Sequence, residues 1–277
     1  MTSIVLKLGG ELLDDPPRLK TIAAALARVV PGTPEGVVIV HGGGREIDAA
    51  LKIAGIEKRQ VEGLRITDEP TLDVVVSVLA GSVNTHFVAA LVTAGVSAVG
   101  LTGADASCGL SEAARPHHTV DGRAVDLGLV GVPVDDADMR LVHTLVRDRF
   151  VPVIACIGLG REGQLFNVNA DTFAGRLAAR LGARRLVIAG TTAGVLDSRG
   201  ATVPVLEPPD VTRLVTDGTA TAGMIAKLSA CAHALANGVD DVVIVDGRDG
   251  SALDAALRGA APASATRLVG SPVGSAQ

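Results

Sequence analysis

Aromatic residues are almost absent from this chain, which has four Phe residues and neither Trp nor Tyr. Hydrophobic residues still make up 48% of its 277 residues, so the core must be built from Ala, Val, Leu and Ile. Such a core suits a Val-rich buried sheet covered by Ala- and Leu-rich helices. The length allows one large domain or two modest ones.

Cysteine and positive charge are also scarce. The three cysteines, Cys108, Cys156 and Cys231, have neither paired nor CxxC spacing. This argues against a disulfide framework or a Cys-based metal site and predicts reduced, buried thiols. A formal net charge of −5 argues against a nucleic-acid-binding surface.

Long apolar segments are missing as well. The N-terminal residues lack the pattern of a signal peptide and predict a first strand instead. No apolar run approaches the roughly 18 residues that a membrane span needs. We therefore expect a cytoplasmic protein with no membrane partner and no nucleic-acid partner.

Short Val-, Ile- and Leu-rich runs alternate along the chain with longer Ala- and Leu-rich stretches. The short runs predict buried strands at Ile4–Leu8, Val37–Val40, Ala98–Leu101, Val151–Ile157, Arg185–Ala189 and Asp241–Val245. The longer stretches predict helices near 17–29, 45–54, 70–94, 136–148, 171–181 and 223–237. This alternation predicts a three-layer α/β sandwich around an open, mainly parallel sheet. Between the third and fourth strands, Asp121-Gly122 predicts the turn of a β-hairpin.

Two glycine clusters follow predicted strands, where ligands of such folds bind. In Lys7-Leu8-Gly9-Gly10, the glycines permit a tight turn whose amides can approach an oxygen, with an ammonium group beside them. The Gly42–Gly44 run follows His41 and enters a predicted helix, which predicts an anion site at the helix N-terminus. The alternatives without a function are that Lys7 is a solvated lysine before an ordinary turn and that Gly42–Gly44 is a flexible linker. We interpret His41 as a structural strand-end residue.

Other common phosphate-binding, dinucleotide-binding and metal-binding motifs are either missing from this sequence or lack the expected structural context. No GxxxxGK[ST] loop occurs in the chain. The spacing of Gly158, Gly160 and Gly163 matches a dinucleotide fingerprint, but the next helix is predicted to begin only near Asp171. The His117-His118 pair has no Cys, Asp or Glu partner at a suitable spacing, so we predict no metal site built by the protein itself.

Four polar side chains are candidates for binding an acid or a phosphate. Arg65 lies in a polar turn before a long helix, and its planar guanidinium suits a carboxylate, although it could equally be a surface residue. Asn167 and Asp171 flank the start of a helix, where capping is a competing role. Lys227 is placed in the first turn of the 223–237 helix, where the dipole disfavours a cation unless an anion is bound.

Together, KLGG, HGGG, GLRIT, QLFNVNAD and GMIAK resemble the motifs of the amino acid kinase family, in order and spacing, over nearly the whole chain. Within that family they are similar to kinases that phosphorylate N-acetyl-L-glutamate in arginine biosynthesis. The resemblance implies ATP as the phosphoryl donor, with Mg²⁺ held mainly by the nucleotide phosphates. It also implies an N-terminal lobe (1–175) for acid binding and dimerisation and a C-terminal lobe (176–277) for ATP.

The resemblance also implies residue roles. Lys7 and Lys227 would stabilise charge on the transferring phosphoryl group, and Asp171 would hold both lysines. Arg65 and Asn167 would bind the acid. The glycines expected to donate hydrogen bonds to the phosphoryl group or the acid are Gly10, Gly43 and Gly44. The other expected phosphate or nucleotide contacts are Gly9, Thr191, Gly194, Val195, Leu196, Gly223 and Met224. Family members commonly have Asp where this chain has Thr191.

One further expectation and three alternatives complete the interpretation. Lys7 has no helix before it, whereas arginine-inhibited hexamers of the family carry one, so we expect an arginine-insensitive homodimer. A kinase for an aminoadipate-type substrate is one alternative, and a catalytically inactive ligand-binding member of the fold is another. Hydride transfer is the weakest alternative and would predict NAD binding.

Overall fold

A computed structural model describes residues 3–119, 121–216 and 222–270 of the chain. The strands in chain order are β1 (Ile4–Leu8), β2 (Val37–His41), β3 (Gln60–Val61), β4 (Leu64–Arg65), β5 (Ala98–Thr102), β6 (Ser111–Ala113), β7 (His117–His118), β8 (Ala124–Val125), β9 (Val130–Pro133), β10 (Val151–Ala155), β11 (Ile157–Leu159), β12 (Leu165–Val168), β13 (Arg185–Gly190), β14 (Val205–Leu206), β15 (Asp241–Asp246) and β16 (Thr266–Leu268). The α-helices are α1 (Pro16–Val29), α2 (Gly44–Ile53), α3 (Glu69–Val76), α4 (Asn84–Thr93), α5 (Arg140–Arg147), α6 (Ala170–Arg180), α7 (Pro208–Thr216), α8 (Ala222–Ala236) and α9 (Gly250–Leu257).

An eight-stranded sheet runs through the molecule in the order β14-β16-β15-β13-β1-β2-β10-β5. Its strands pair in parallel except at β15–β16, where the pairing is antiparallel. β1 lies between β2 and β13, so the chain crosses to opposite sides of β1 at this point. In open parallel sheets, the carboxyl ends of strands at such a reversal form a ligand-binding crevice.

Both faces of this sheet are covered. In β1, Val5 belongs to one apolar cluster, while Ile4 and Leu6 belong to another, as alternation along a strand requires. Helices α2, α5, α6 and α8 supply side chains to the first cluster, and α1 and α9 supply side chains to the second. The sequence prediction of a three-layer α/β sandwich is therefore confirmed.

A smaller sheet, β11-β12-β9-β6, and two hairpins, β3–β4 and β7–β8, lie outside the main sheet. The predicted β7–β8 hairpin is present, and Gly122 has the positive φ of 83° that its turn needs. Val120 of this hairpin lies outside the described residues. His117 is half-buried, and its Nε2 lies 2.8 Å from Oε2 of Glu62, so it has a carboxylate partner that spacing did not reveal.

Several predicted boundaries are wrong. The run Val151–Ile157 is not one strand, because the chain leaves the main sheet at Cys156 and β11 pairs with β12 instead. Helix α5 begins at Arg140 and not near residue 136 as predicted, and the backbone N–H of Arg140 donates to the Asp138 carboxylate. Helices α7 and α9 were not predicted. The Gly158–Gly163 segment lies in the β11–β12 hairpin rather than in a strand-to-helix turn, which removes the structural context of a dinucleotide site.

The longest helical run joins α3 and α4 through a π-helical segment, Ser77–Val83. By length and composition alone, these 25 residues (Glu69–Thr93) could cross a membrane, which corrects the expectation that no apolar run is long enough. A core helix of a globular protein passes the same test. Here Val75 and Leu79 pack in one apolar cluster, and Phe87 packs in the other.

Candidate active site

Two glycine turns meet at the carboxyl ends of β1 and β2. A Cβ atom placed on Gly10 would lie 2.6 Å from Cα of Gly43 and 2.9 Å from the amide nitrogen of Gly44. The two turns are therefore in backbone contact, and a side chain on Gly10 would separate them. Gly10 opens a 3₁₀ turn and Gly44 opens α2, so neither amide has an intrahelical acceptor. This is the geometry of an anion site.

Lys7 is the one charged residue of β1, and it is buried on the face covered by α6 and α8. Its ammonium nitrogen lies 2.9 Å from Oδ1 of Asp171, the second residue of α6. Burial is the largest influence and lowers the pKa of Lys7, but attraction and hydrogen bonding by Asp171, with smaller contributions from Glu11 and Cys156, together raise it above 10.5. Burial likewise opposes the charge of Asp171, yet Lys7 and Lys227 bring its pKa below 3.8. Both groups are thus ionised at neutral pH.

Lys227 lies on α8, across the crevice from β1. Its Nζ would lie 3.5 Å from a Cβ atom placed on Gly190, at the end of β13. Its attraction for Asp171 places it on the same side of the sheet as Lys7. The predicted position in the first helical turn is wrong, because α8 begins at Ala222 and Lys227 is its sixth residue. The dipole penalty argued from the sequence is correspondingly smaller, since it falls off within the first turn.

Arg65 lies at the end of the β3–β4 hairpin and is held from one side. Its Nη2 is 2.5 Å from Oδ1 of Asp48 on α2, and Lys58 donates to the other oxygen of Asp48 at 2.7 Å. The second guanidinium nitrogen, Nη1, is buried and has no partner among the described residues. A buried guanidinium N–H without an acceptor costs free energy, so this group is suited to a carboxylate that enters from the cavity.

Asn167 and Asn169 have different roles. Asn167 lies in β12 and donates from Nδ2 to the Thr67 hydroxyl at 3.1 Å, which joins β12 to the turn that follows Arg65. Asn169 caps α6, because its Oδ1 accepts the amides of Asp171 and Thr172. The residue that caps this helix is therefore Asn169, and the cap fixes the first turn of α6, in which Asp171 lies.

His41 ends β2 and is fully buried. Its Nε2 lies 2.9 Å from Nδ2 of Asn84, and burial lowers its pKa to about 4. The ring is therefore neutral at physiological pH, and it joins β2 to α4. This supports the interpretation of His41 as a structural residue.

One cavity of about 220 Å³ is lined by seven of the fifteen predicted site residues. The predicted residues that line it are Lys7, Gly9, Gly10, Gly43, Gly44, Arg65 and Asn167. The predicted residues outside its lining are Asp171, Lys227, Thr191, Gly194, Val195, Leu196, Gly223 and Met224. Asp171 is nevertheless adjacent to the cavity through Lys7, and Lys227 lies beside Gly190, which Glu11 of the lining also approaches.

The Thr191–Leu196 loop follows β13 and is tied to β16. The amide of Val195 donates to the Thr266 hydroxyl at 2.7 Å, and the amide of Gly194 donates to the carbonyl of Thr192. Gly194 has a φ of 74°, and a Cβ atom there would overlap Thr266. Both amides are thus used within the chain. Met224 packs partly against the core of α6 and α8, and Gly223 is exposed.

Sequence reasoning did not identify Asp48, Lys58 or Glu11. Asp48 lies one helical turn after Gly44, so its spacing from the glycine run is the signal that could have placed it beside the site. Lys58 is brought near by the loop after α2, which no motif marks. Glu11 directly follows the first glycine pair and lines the same cavity.

The arrangement has two chemically different ends. At one end, glycine amides and the ammonium groups of Lys7 and Lys227 surround an anion site. The other is Arg65, which lines the same cavity and whose Nη1 has no partner in the described part of the chain. Such a site can hold a phosphate against a small molecule that carries its own carboxylate.

The model of the amino acid kinase family matches residues 2–246, so the chain belongs to that family. The curated acetylglutamate kinase of Rhizorhabdus wittichii is 42% identical over 253 residues, covering 89% of this chain and 82% of its own. The acetylglutamate kinase of Bradyrhizobium diazoefficiens is 40% identical, with 89% and 84% covered. Among solved structures, smu.665 of Streptococcus mutans is 26% identical and superposes with a TM-score of 0.76, covering 88% of this chain and 94% of its own.

Replacing Asp171 by Asn should destabilise the protein, because it leaves the Lys7 ammonium buried without a counter-charge. We expect a loss of about 3–5 kcal/mol in the free energy of unfolding at pH 7, measured by urea denaturation. Since the folded-state pKa of Asp171 is depressed, its contribution is present above pH 3.8 and is lost as the pH falls through the folded-state value. The raised pKa of Lys7 keeps its contribution present below pH 10.5.

The difference in the free energy of unfolding between wild type and D171N should therefore be constant near neutral pH. It should shrink as the pH falls below about 3.8. Asp240→Asn is the matched control, since this carboxylate is exposed before β15 and should change stability by less than about 0.5 kcal/mol. A D171N protein as stable as wild type at pH 7 would contradict the assignment of a buried ion pair.

Proposed function

We propose that the chain acts as an N-acetylglutamate kinase, transferring the γ-phosphoryl group of ATP to the side-chain carboxylate of N-acetyl-L-glutamate. The single observation that carries the proposal is the cavity whose lining brings together the glycine turns, Lys7 and Arg65, with Nη1 of Arg65 unpaired among the described residues. The acetylglutamate kinases that share 40–42% identity with this chain support the same substrate.

In the proposed reaction, a carboxylate oxygen of the substrate attacks the γ-phosphorus of ATP. The bond from that phosphorus to the β,γ-bridging oxygen breaks, and its electron pair leaves with ADP. The products are ADP and an acyl phosphate. The nucleophile is already ionised at neutral pH, so no general base is needed. Positioning and charge stabilisation are what the protein must supply.

The ammonium groups of Lys7 and Lys227 supply charge stabilisation. Asp171 pairs with Lys7 at 2.9 Å and attracts Lys227, so it fixes both relative to the crevice. The amides of Gly10, Gly43 and Gly44 donate to oxygens of the phosphoryl group. Arg65 and Asn167 orient the acid, the first through Nη1 and the second from β12.

We assign nucleotide binding to the segment that follows β13 and to the start of α8. The residues concerned are Gly9, Thr191, Gly194, Val195, Leu196, Gly223 and Met224. Because the amides of Gly194 and Val195 donate within the chain, this loop would contact the nucleotide through its exposed side chains and carbonyls. Leu196 is 45% exposed and offers an apolar surface for the base. Thr191 stands where the family commonly has Asp, and a hydroxyl there can still donate a hydrogen bond.

Mg²⁺ would enter with the nucleotide. Among the described residues, no group of three or more His, Cys, Asp or Glu side chains could hold a metal ion, so the phosphates would supply most of its ligands. Glu11 places a hard oxygen donor in the cavity, and the site therefore fits this ion. When bound, Mg²⁺ would neutralise charge on the phosphate oxygens.

The wider setting is proposed on the same basis. Residues 1–175 would carry the acid site and the dimer contact, and 176–277 the ATP site, of which 217–221 and 271–277 lie outside the described residues. The Glu69–Thr93 helix offers an apolar surface for a homodimer, since Val92 is 55% exposed. A cytoplasmic location and a step in arginine biosynthesis follow from the substrate.

The substrate assignment is tested by ADP release with a panel of acids: N-acetylglutamate, glutamate, aspartate, carbamate and an acetylated aminoadipate. We expect stimulation by N-acetylglutamate alone. Lys227→Ala should lower kcat by about 10²–10³-fold, because a charge aimed at the transition state is lost. Lys20→Ala, at an exposed position of α1, should be unchanged. Stronger stimulation by another acid would overturn the substrate, and full turnover in K227A would overturn the role of Lys227.

Asp48 should act as a positioning residue for Arg65. Asp48→Asn removes the charge that holds the guanidinium, so the KM for N-acetylglutamate should rise about tenfold, while kcat and the KM for ATP stay within about twofold. Lys58→Met, which removes only the exposed side of the pair, should have a smaller effect. Initial-rate kinetics check this, and an unchanged KM for the acid in D48N would be incompatible with the positioning role.

A further inference from the structure

Glu11 is a carboxylate inside the anion site that the reaction scheme does not use. It belongs to the 3₁₀ turn Gly10–Leu12, directly after the first glycine pair, and it lines the 220 Å³ cavity. A Cβ atom placed on Gly9 would overlap three atoms of the Glu11 carboxylate group. The side chain is therefore folded back over Gly9 instead of extending into solvent.

The carboxylate also reaches towards the end of β13. Its Oε1 lies 3.6 Å from the point where a Cβ atom of Gly190 would stand, and Nζ of Lys227 lies 3.5 Å from the same point. Glu11 and Lys227 therefore face one another across this glycine, although they are not within the 4.0 Å of an ion pair in the part of the chain that is described.

Three other carboxylates lie nearby. Glu46 on α2 has no partner among the described residues, but it does not line this cavity. Asp171 is bound by Lys7 at 2.9 Å, and Asp14 is bound by Arg45 at 3.0 Å. Within residues 3–119, 121–216 and 222–270, the Glu11 carboxylate accepts no hydrogen bond and joins no ion pair. It is thus the carboxylate of the cavity whose oxygens are open to a ligand.

A free carboxylate beside phosphate-binding glycines presents an electrostatic conflict. Unscreened, it repels the phosphate oxygens that the amides of Gly10, Gly43 and Gly44 attract. The conflict disappears if a divalent cation lies between the carboxylate and the phosphates. Mg²⁺ is a hard ion that proteins commonly hold through one or two carboxylates together with nucleotide phosphates.

We propose that Glu11 is the protein's own ligand for the Mg²⁺ that accompanies the nucleotide, bound either directly or through one ordered water. The proposal rests on the proposed function only in taking the ligand of this site to be a nucleoside polyphosphate. It extends that function, because it gives the chain a side chain that couples nucleotide affinity to the metal.

The test is the metal dependence of nucleotide binding, measured without any acid substrate. Calorimetry would give the Kd of ADP with Mg²⁺ present and with the metal removed by chelator, for wild type and Glu11→Gln. The ratio of the two Kd values is the gain due to the metal. We expect this gain to fall about tenfold in E11Q, while metal-free ADP binds as well as to wild type or better, because a repelling charge has been removed.

Two further variants separate ligation from charge and from misfolding. Glu11→Asp keeps the charge but withdraws the oxygens by one methylene, so it should also reduce the metal gain, and metal-free affinity should stay unchanged. If thermal denaturation shows that E11Q does not fold, E11D takes its place in the binding measurements. Glu57→Gln makes the same substitution at an exposed position after α2 and should leave the gain intact.

A metal gain that is equal in wild type, E11Q and E11D would overturn the proposal. Tighter ADP binding in E11Q by the same factor with and without Mg²⁺ would also overturn it, since Glu11 would then act only by repulsion. These outcomes are distinguishable from failure of the proposed function, which would appear as absent turnover with N-acetylglutamate although nucleotide still binds.

Discussion

The site depends on the backbone contact between the two glycine turns at the ends of β1 and β2. Gly10 and Gly43 approach so closely that no Cβ atom fits between them, and this contact brings the amides of both turns to one place. Because β1 and β2 are adjacent parallel strands, their carboxyl ends lie at the same edge of the sheet. The sheet thus builds the anion site, and the glycines allow the phosphate to approach the backbone.

Charge in the crevice is organised around a buried pair. The attraction between Lys7 and Asp171 offsets the free-energy cost of burying both charges. The otherwise apolar strand β1 can therefore contain one charged residue. Asp171 can occupy that position because Asn169 caps α6 and fixes its first turn. Asp48 provides the counter-charge of Arg65 as Asp171 provides that of Lys7, except that one guanidinium nitrogen has no partner among the residues described. An unsatisfied donor and a pair of glycine turns in one cavity suit a ligand that carries negative charge.

Much of the fold could be predicted from the sequence, because its strands are buried on both faces and read as continuous apolar runs. The glycine clusters also predicted an anion site at this edge, since strand–glycine–helix order has a direct structural meaning, and the two turns do meet there. The chain leaves the sheet at Cys156 without any composition change, so that boundary could not be predicted. Asp48 and Glu11 were missed because their role depends on which loops meet in space, and short-range spacing carries little of that information. The helix start itself was predicted to within one residue, but Lys227 is the sixth residue of α8 and so lies beyond its first turn.

The central claim is phosphoryl transfer to a carboxylate, and the product itself tests it most directly. An acyl phosphate reacts with hydroxylamine to give a stable hydroxamate, whereas phosphate esters do not. Incubation of the protein with ATP, Mg²⁺, N-acetylglutamate and hydroxylamine should yield one equivalent of hydroxamate for each ADP, and none when the acid is omitted. ADP formed in the presence of N-acetylglutamate without any hydroxamate would contradict the account, because the phosphoryl group would then have gone to water or to another acceptor.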